Sequence, residues 1–317
     1  MKVVEAIEKA SGPLFTFEIL PPEKGDNIQS IYDTIDPLIE FQPSFIDVTY
    51  HREEIQFREF HDGSIEKKTI WKRPGTVGIT AAIKFKYKIS VVPHIICGGF
   101  TREETENGLI DLQFLGVSNV LAVRGDNLPG DKYFRPTKGG HQYTVDLIRQ
   151  ITDLNKGKYL EDDLLSNSPT DFSVGVAGYP EKHTESPNLK TDIKFLKEKT
   201  DAGAAYIVTQ MFFDNEKYFE FVKQCRDAGI TVPIIPGLKP ISSIQQLKTL
   251  PRTFFITIPE ALGNEIEKCK DNKEARLVGI EWGIQQSKEL MKFGVPALHY
   301  FTMGKSDNIR QIVKEVL

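Results

Sequence analysis

Eight short apolar runs rich in β-branched residues, each followed by a segment of helical period, constrain this chain more than any other feature. They cover residues 14–20, 45–50, 91–97, 119–124, 171–177, 205–211, 232–237 and 297–302. Most are continuous in hydrophobicity rather than alternating, as in strands covered on both faces of a parallel sheet. Helix signals punctuate the intervals. Thr101 precedes REETENGLIDLQFL, with Glu104 three residues on as its capping-box partner. Asn188 opens LKTDIKFLKEKTDAG, with Ile193, Phe195 and Leu196 facing inward, and Asn215 opens EKYFEFVKQCRDAG; Gly203 and Gly229 mark their ends.

Eight strand–helix units in 317 residues predict an α/β fold, a single (β/α)8 TIM barrel forming one domain over 1–317. A doubly wound sheet is the alternative. Two stretches fit the repeat poorly. Residues 51–75 are polar and charged and read as a solvated loop. Residues 252–273 hold an apolar TFFITIP and then a helix, read as a helical excursion between strands seven and eight; TFFIT as a strand is the other reading.

Composition enters by exclusion. Lys and Arg number 40 against 44 Asp and Glu, so the net charge of −4 offers no basic footprint for nucleic acid. At 40% hydrophobic residues the chain has the apolar area to order itself. Cys97, Cys225 and Cys269 are far apart and form no CxxC, which suggests neither disulfides nor a zinc site. The N-terminal MKVVEAIEKASGPLF lacks a signal-peptide core and no apolar run reaches about 18 residues. No membrane span is expected, and the cytosol is the default compartment. GxGxxG, GxxxxGK[ST], HExxH and GxSxG are missing, and the six histidines show no ligand spacing. A standard dinucleotide crevice, a P-loop, a bound metal and a serine nucleophile all lose support.

A barrel of this type builds its site where the strands end. Polar residues finish seven of the eight runs: Glu18 in FTFEILPP, Thr49 and Tyr50 in DVTYH, His94 in VPHIIC, Arg124-Gly125-Asp126 in LAVRGD, Tyr179 in GVAGYPEKH, Gln210 in IVTQMFFD and Thr302 in HYFTMG. Each alone has a plain explanation: a paired core carboxylate, a satisfied histidine, a salt-bridged turn. Their clustering on one face is a functional signal. A carboxyl in an apolar strand, such as Glu18, has a raised pKa and can serve as a general acid near neutral pH.

In order along the chain, FEILPPEKG (family pattern FE-x-x-PP), FIDVTYH, VPHIIC, VLAVRGDNLPG, VGVAGYPEKH, DAGAAYIVTQMFFD, IIPGLKPIS and HYFTMG resemble the methylenetetrahydrofolate reductase family. The resemblance spans nearly the whole chain. It implies a barrel holding FAD non-covalently along its mouth, with NADH or NADPH as electron donor. The implied reaction reduces 5,10-methylenetetrahydrofolate to 5-methyltetrahydrofolate in two half-reactions through one site. Glu18 matches the general acid, which protonates folate N10 and opens the ring to an iminium that accepts hydride from reduced flavin; Phe15, Phe17 and Ile19 are its apolar neighbours in sequence. Asp126 matches the catalytic aspartate near flavin and pterin, and Gln210 the glutamine that contacts folate and nicotinamide. FAD contacts carry over to Thr49, His94, Arg124, Gly125, Asp126, Tyr143, Ala177, Tyr179, His183, Asp192 and Lys199. Phe301, Thr302 and Met303 match the segment at the substrate end, where Lys305 supplies a positive charge. The resemblance also implies a homo-oligomer and, at this length, a bacterial-type enzyme using NADH without control by S-adenosylmethionine.

The chain departs from the family in four places. His51-Arg52-Glu53 replaces small residues, Gly304-Lys305 replaces Asn-Arg, YFRPTKGG looks inserted before Tyr143, and Phe195 and Glu198 replace polar or basic residues on the adenine-facing helix. Two rival readings remain. A flavin-free pterin-binding or aldolase-like barrel would need a pyrophosphate-binding substrate site or a strand-end Schiff-base lysine, for which only Lys239 in PGLKP is placed. A catalytically inactive binding barrel would not need Glu18, Asp126 and Gln210 together.

Overall fold

The computed structural model describes residues 1–128, 131 and 133–317; Pro129 and Gly130 of the RGDNLPG segment lie outside them. The first half runs α1 (Val3–Lys9), β1 (Leu14–Ile19), α2 (Gln29–Ile35), a 3₁₀ helix (Asp36–Phe41), β2 (Phe45–Val48), β3 (Glu54–Glu59), β4 (Ile65–Ile70), α3 (Thr76–Tyr87), β5 (Ser90–Ile96), α4 (Arg102–Phe114), β6 (Asn119–Val123) and α5 (Thr144–Leu154). It continues with β7 (Ser173–Gly178), α6 (Leu189–Asp201), β8 (Tyr206–Thr209), α7 (Asn215–Asp227), β9 (Ile234–Ile235), β10 (Gly237–Leu238), α8 (Gln246–Phe254), α9 (Glu260–Glu267), α10 (Asn272–Phe293), β11 (Ala297–Phe301) and α11 (Asp307–Val316).

Nine strands pair in parallel in the order β10-β11-β1-β2-β5-β6-β7-β8-β9. Because only Pro236 separates β9 from β10, the two ends of this order meet and the sheet nearly closes into a barrel ringed by helices. The run 232–237, expected as one strand, is two. Pro236 has no N–H for the ladder, although its carbonyl accepts from the His299 N–H at 3.1 Å. Between β10 and β11 the chain makes α8, α9 and α10 over a core of its own that includes Met211, Phe213, Ile241, Leu250 and Leu262. TFFIT is not a strand: Thr253 and Phe254 finish α8, and Phe255 turns left-handed at φ 56°.

Alternation along each strand divides the side chains between two cores. Phe15, Phe17 and Ile19 of β1 face outward and share the main core with Ile31, Ile35, Leu38 and Ile309 of the helical layer. Thr16 and Glu18 therefore face the barrel interior. There Phe45, Val92, Leu121, Tyr206, Val208, Ile235 and Ala297 form a second core with Val3. The Val3 N–H donates to Asn119 Oδ1 at 2.8 Å, so α1 covers the N-terminal end of the barrel and leaves the opposite end open. Tyr206 fits inside only because β7 has a glycine beside it: a Cβ on Gly175 would lie 2.4 Å from the ring. Gly175→Ala should cost about 1–3 kcal/mol by overpacking. Urea unfolding would show this as a lower midpoint at unchanged slope; wild-type stability would mean that the Tyr206 ring has somewhere else to go.

The segment 51–75 is not a loop. β3 and β4 pair antiparallel from Glu54↔Ile70 to Glu59↔Ile65, across a turn in which Asp62 accepts from the Ser64 N–H at 2.9 Å. The period-2 pattern EIQFRE/IEKKTI around Asp62-Gly63 carries that signal, but both strands are so charged that the segment reads as solvated. Its base is fixed near the barrel mouth by Tyr50, Trp71 and Phe100, whose ring centroids lie 5.2–6.2 Å apart. The capping box predicted at Thr101 forms, with Thr101 Oγ1 accepting from the Glu104 N–H at 3.1 Å and Glu104 from the Thr101 N–H at 2.8 Å. The start of α7 shifts by one residue. Asp214 caps it, and Asn215 is buried, donating to the Gln286 carbonyl at 3.1 Å.

Candidate active site

At the open end of the barrel, β1, β2 and β5 bring three ionisable groups together. Register sets Glu18 beside Asp47 and Phe301. His94 Nε2 lies 3.5 Å from Glu18 Oε2 and 3.4 Å from Asp47 Oδ2. Burial pushes the Glu18 carboxyl from 4.5 up to about 7, with His94 opposing and Asp47 adding to the rise. Burial also pushes Asp47 well above the carboxylate range and holds His94 below the usual imidazole value. The enclosure of Glu18 comes from these cross-strand neighbours. Its sequence neighbours Phe15, Phe17 and Ile19, expected to supply it, face the helices instead. Asp47 was not a predicted site residue, although an acid inside the apolar run FIDV is the same signal that singles out Glu18.

Around this floor opens a cleft of about 1270 Å³, solvent included, lined by Glu18, Thr49, His94, Arg124, Gly125, Asp126, Ala177, Tyr179, His183, Gln210, Phe301 and Met303. Twelve predicted residues thus meet at one mouth because parallel strands must end on one face. Gly125 turns the chain at φ +85°, a left-handed conformation that suits glycine, and a Cβ there would touch Ile96 at 3.4 Å. Gln210 Oε1 accepts from the Met211 N–H at 2.9 Å, leaving its amide hydrogens for other partners. Tyr50, which ends its run with Thr49, lines the cleft as well, as do His51, Met211 and Phe254, which were not predicted.

A trough of about 1200 Å³ continues from Arg124, Ala177, Tyr179 and His183 to Tyr143, Asp192 and Lys199. The Lys199 ammonium makes one hydrogen bond, 3.4 Å to the Ala177 carbonyl, and no ion pair among the described residues; burial lowers its pKa. Arg124 pairs with Glu185 at 2.6 Å and lies 5.0 Å over the Phe134 ring, a partnership invisible in the sequence. Asp192 accepts from the His183 N–H at 2.9 Å and the Ser186 hydroxyl at 2.8 Å, which pins the loop before α6. Phe195 and Glu198, set aside from the sequence, line the outer trough, and the Phe195 ring, expected to face inward, is 47% exposed.

An elongated anionic flavin dinucleotide fits this surface. The cleft offers a wide apolar-and-polar mouth for a ring system, and the trough offers one cation without a carboxylate partner for a diphosphate. Three predicted residues stand apart from it. Thr302 is buried, its hydroxyl donating to the Glu18 carbonyl at 2.7 Å, so it fixes the strand that carries Glu18 rather than lining the cleft. Lys305 is exposed beyond the turn at Met303 and Gly304 and does not line the cleft. Lys239 is buried with its ammonium on the Pro240 carbonyl at 3.2 Å, also off the cleft.

A family model described as methylenetetrahydrofolate reductase matches residues 2–316. The chain is 30% identical over 293 residues to 5,10-methylenetetrahydrofolate reductase of Salmonella typhimurium, covering 92% of this chain and 86% of that protein. It is 30% identical over 317 residues to methylenetetrahydrofolate reductase (NADH) 1 of Arabidopsis thaliana, covering 96% of this chain and 49% of the plant protein. The chain spans about half the length of the eukaryotic relatives it matches. Its fold is similar to that of an uncharacterized protein from Clostridium thermocellum that binds two copies of 5-methyl-5,6,7,8-tetrahydrofolic acid, with a TM-score of 0.56 at 14% identity over 98% of this chain and 96% of the other. With a family match that leaves out only the first and last residues, the chain belongs to the methylenetetrahydrofolate reductase family.

Proposed function

We propose that this chain is a single catalytic barrel that reduces 5,10-methylenetetrahydrofolate to 5-methyltetrahydrofolate with electrons from NADH or NADPH and FAD as cofactor. The observation that carries the reading is Glu18, a carboxyl whose pKa of about 7 keeps much of it protonated at neutral pH, on the floor of a cleft that also holds Asp126 and Gln210. Bound flavin supplies the hydride, which it receives from the nicotinamide. The chain's own work is acid catalysis and positioning. Glu18 gives its proton to folate N10, which cleaves the C–N10 bond of the five-membered ring and leaves an iminium carbon as hydride acceptor. Asp126 accepts hydrogen bonds from the pterin, and the free amide hydrogens of Gln210 donate to folate or nicotinamide in turn. Thr49, His94, Tyr179 and His183 shape the flavin seat. Lys199 and Arg124 balance the diphosphate, with Glu185 yielding part of its hold on Arg124, and Tyr143 and Asp192 flank the far end.

The same reading makes the protein a cytosolic homo-oligomer. Its test is optical. The purified protein should be yellow, and mixing it with NADH or NADPH in a stopped-flow instrument should bleach the flavin; methylenetetrahydrofolate should then restore the colour. The faster of the two nicotinamides identifies the donor. A colourless protein that refuses added FAD would sink the proposal in favour of a flavin-free or inactive barrel.

A further inference from the structure

The interior of an α/β barrel is ordinarily filled by branched apolar side chains, yet beneath the cleft this one holds a second carboxyl that the reading above leaves idle. Asp47 is fully buried one strand from Glu18 and paired with it in the β1–β2 register. Its Oδ2 and Glu18 Oε2 approach the same atom, His94 Nε2, at 3.4 and 3.5 Å. Among the described residues its Oδ1 has no hydrogen-bond partner, nor do the Tyr206 hydroxyl and His299 Nε2, buried in the same interior. One ring nitrogen carries one hydrogen or one lone pair, so it serves one carboxyl at a time. Two ionised carboxylates around a neutral imidazole in so dry a space repel each other, and the pair titrates as a unit.

We propose that Asp47 is a positioning residue for Glu18: the two carboxyls and His94 form one proton-sharing unit, in which Asp47 holds the proton on Glu18 at neutral pH. The inference rests on the assignment of Glu18 as the acid. A Glu18 carboxylate would need the Nε2 hydrogen to itself, and Asp47 competes for it. Any charge on Asp47 repels it as well. Only Glu18 of the two lines the cleft, so only Glu18 can pass its proton to a substrate. The other ionisable groups facing the unit are Tyr206 from β8 and His299 from β11, with Tyr50, His51, Arg124, Asp126, Tyr179 and His183 on the cleft side. None of the interior ones supplies an opposing charge: burial raises the Tyr206 hydroxyl well above its usual value and pushes His299 down to about 3.

The test titrates Glu18 directly. Its protonated-carboxyl infrared band, identified by its loss in Glu18→Gln, is followed against pH in flavin-free wild type and in Asp47→Asn, which keeps the side-chain shape and removes the ionisable proton. The midpoint should fall by about one pH unit or more in Asp47→Asn. The basic limb of folate reduction should fall with it, lowering the ratio of rates at pH 8 and pH 6 about fivefold for a one-unit fall and towards tenfold for a larger one. A structural role alone would slow both pH values equally, and a midpoint unmoved or raised overturns the proposal. Should Asp47→Asn fail to fold, Asp47→Ser is read in the same way. Because the infrared titration uses neither flavin nor folate, it judges Asp47 even if the wild type proves unable to reduce methylenetetrahydrofolate, an outcome that would count against the proposed function alone.

Discussion

Replacing Glu18 by Gln slows methylenetetrahydrofolate reduction about 10²–10⁴-fold, the usual contribution of a positioned general acid, and leaves flavin reduction by NAD(P)H near the wild-type rate. The two half-reactions differ because only the folate step needs a proton at N10. Single-turnover stopped-flow measurements separate them, and equal losses in both would refute the role given to Glu18. The same variant carries a stability signature of defined sign. The folded-state pKa of about 7 lies above the ordinary 4.5, so the proton on Glu18 favours the fold fully below about pH 4.5, and that support is lost as the pH rises through 7. Gln does not ionise. Its advantage over wild type should therefore be absent at pH 4, grow between 4.5 and 7, and level off at no more than about 3 kcal/mol above that range. Unfolding midpoints at pH 5 and pH 8 check it; a variant less stable than wild type at pH 8 would mean that the Glu18 carboxylate is better accommodated than its enclosure implies.

Barrel geometry explains what could and could not be read from the sequence. Glu18, His94, Arg124, Tyr179 and Gln210 are legible because each finishes an apolar run, and parallel strands deliver their ends to one face whatever their order. The neighbours across the strands are not legible in that way. That Asp47 and Phe301, rather than Phe17 and Ile19, surround Glu18 follows from the β1–β2 and β1–β11 registers, which join residues up to 283 positions apart. The ion pair of Arg124 with Glu185 likewise spans 61 positions and joins a strand end to a loop. The hairpin of β3 and β4 was missed for a different reason: its alternation is present, but six of its twelve residues are Glu, Lys or Arg, and charge outweighed period. Thr302 shows the opposite error. A polar residue at a strand end can spend its hydroxyl on the adjacent backbone, here the Glu18 carbonyl, and serve the site only by holding the acid's strand.

Lys199→Met should weaken FAD binding about 10- to 100-fold while leaving the flavin-free protein at least as stable as wild type. The opposite signs come from one fact. Lys199 makes no ion pair among the described residues, and burial works against its charge more than the longer-range attraction of Asp192 favours it, so without a ligand the ammonium is a cost that Met, of similar length, does not carry. A diphosphate in the trough would supply the missing counter-charge, and a charge-assisted hydrogen bond contributes about 1.5–3 kcal/mol, which is roughly 10- to 150-fold in Kd. Lys197 on the same helix is the control. It already pairs with Asp201 one turn on, lies outside the trough lining, and its replacement by Met should leave FAD affinity within about twofold. Fluorescence quenching of FAD on titration with apoprotein measures Kd, and thermal melting without flavin measures the second arm. Higher ionic strength should narrow the affinity difference between wild type and Lys199→Met, because screening weakens only the charged contact. If Lys199→Met melts lower than wild type and binds FAD equally well, the ammonium serves the fold through the Ala177 carbonyl and the diphosphate is held elsewhere along the trough.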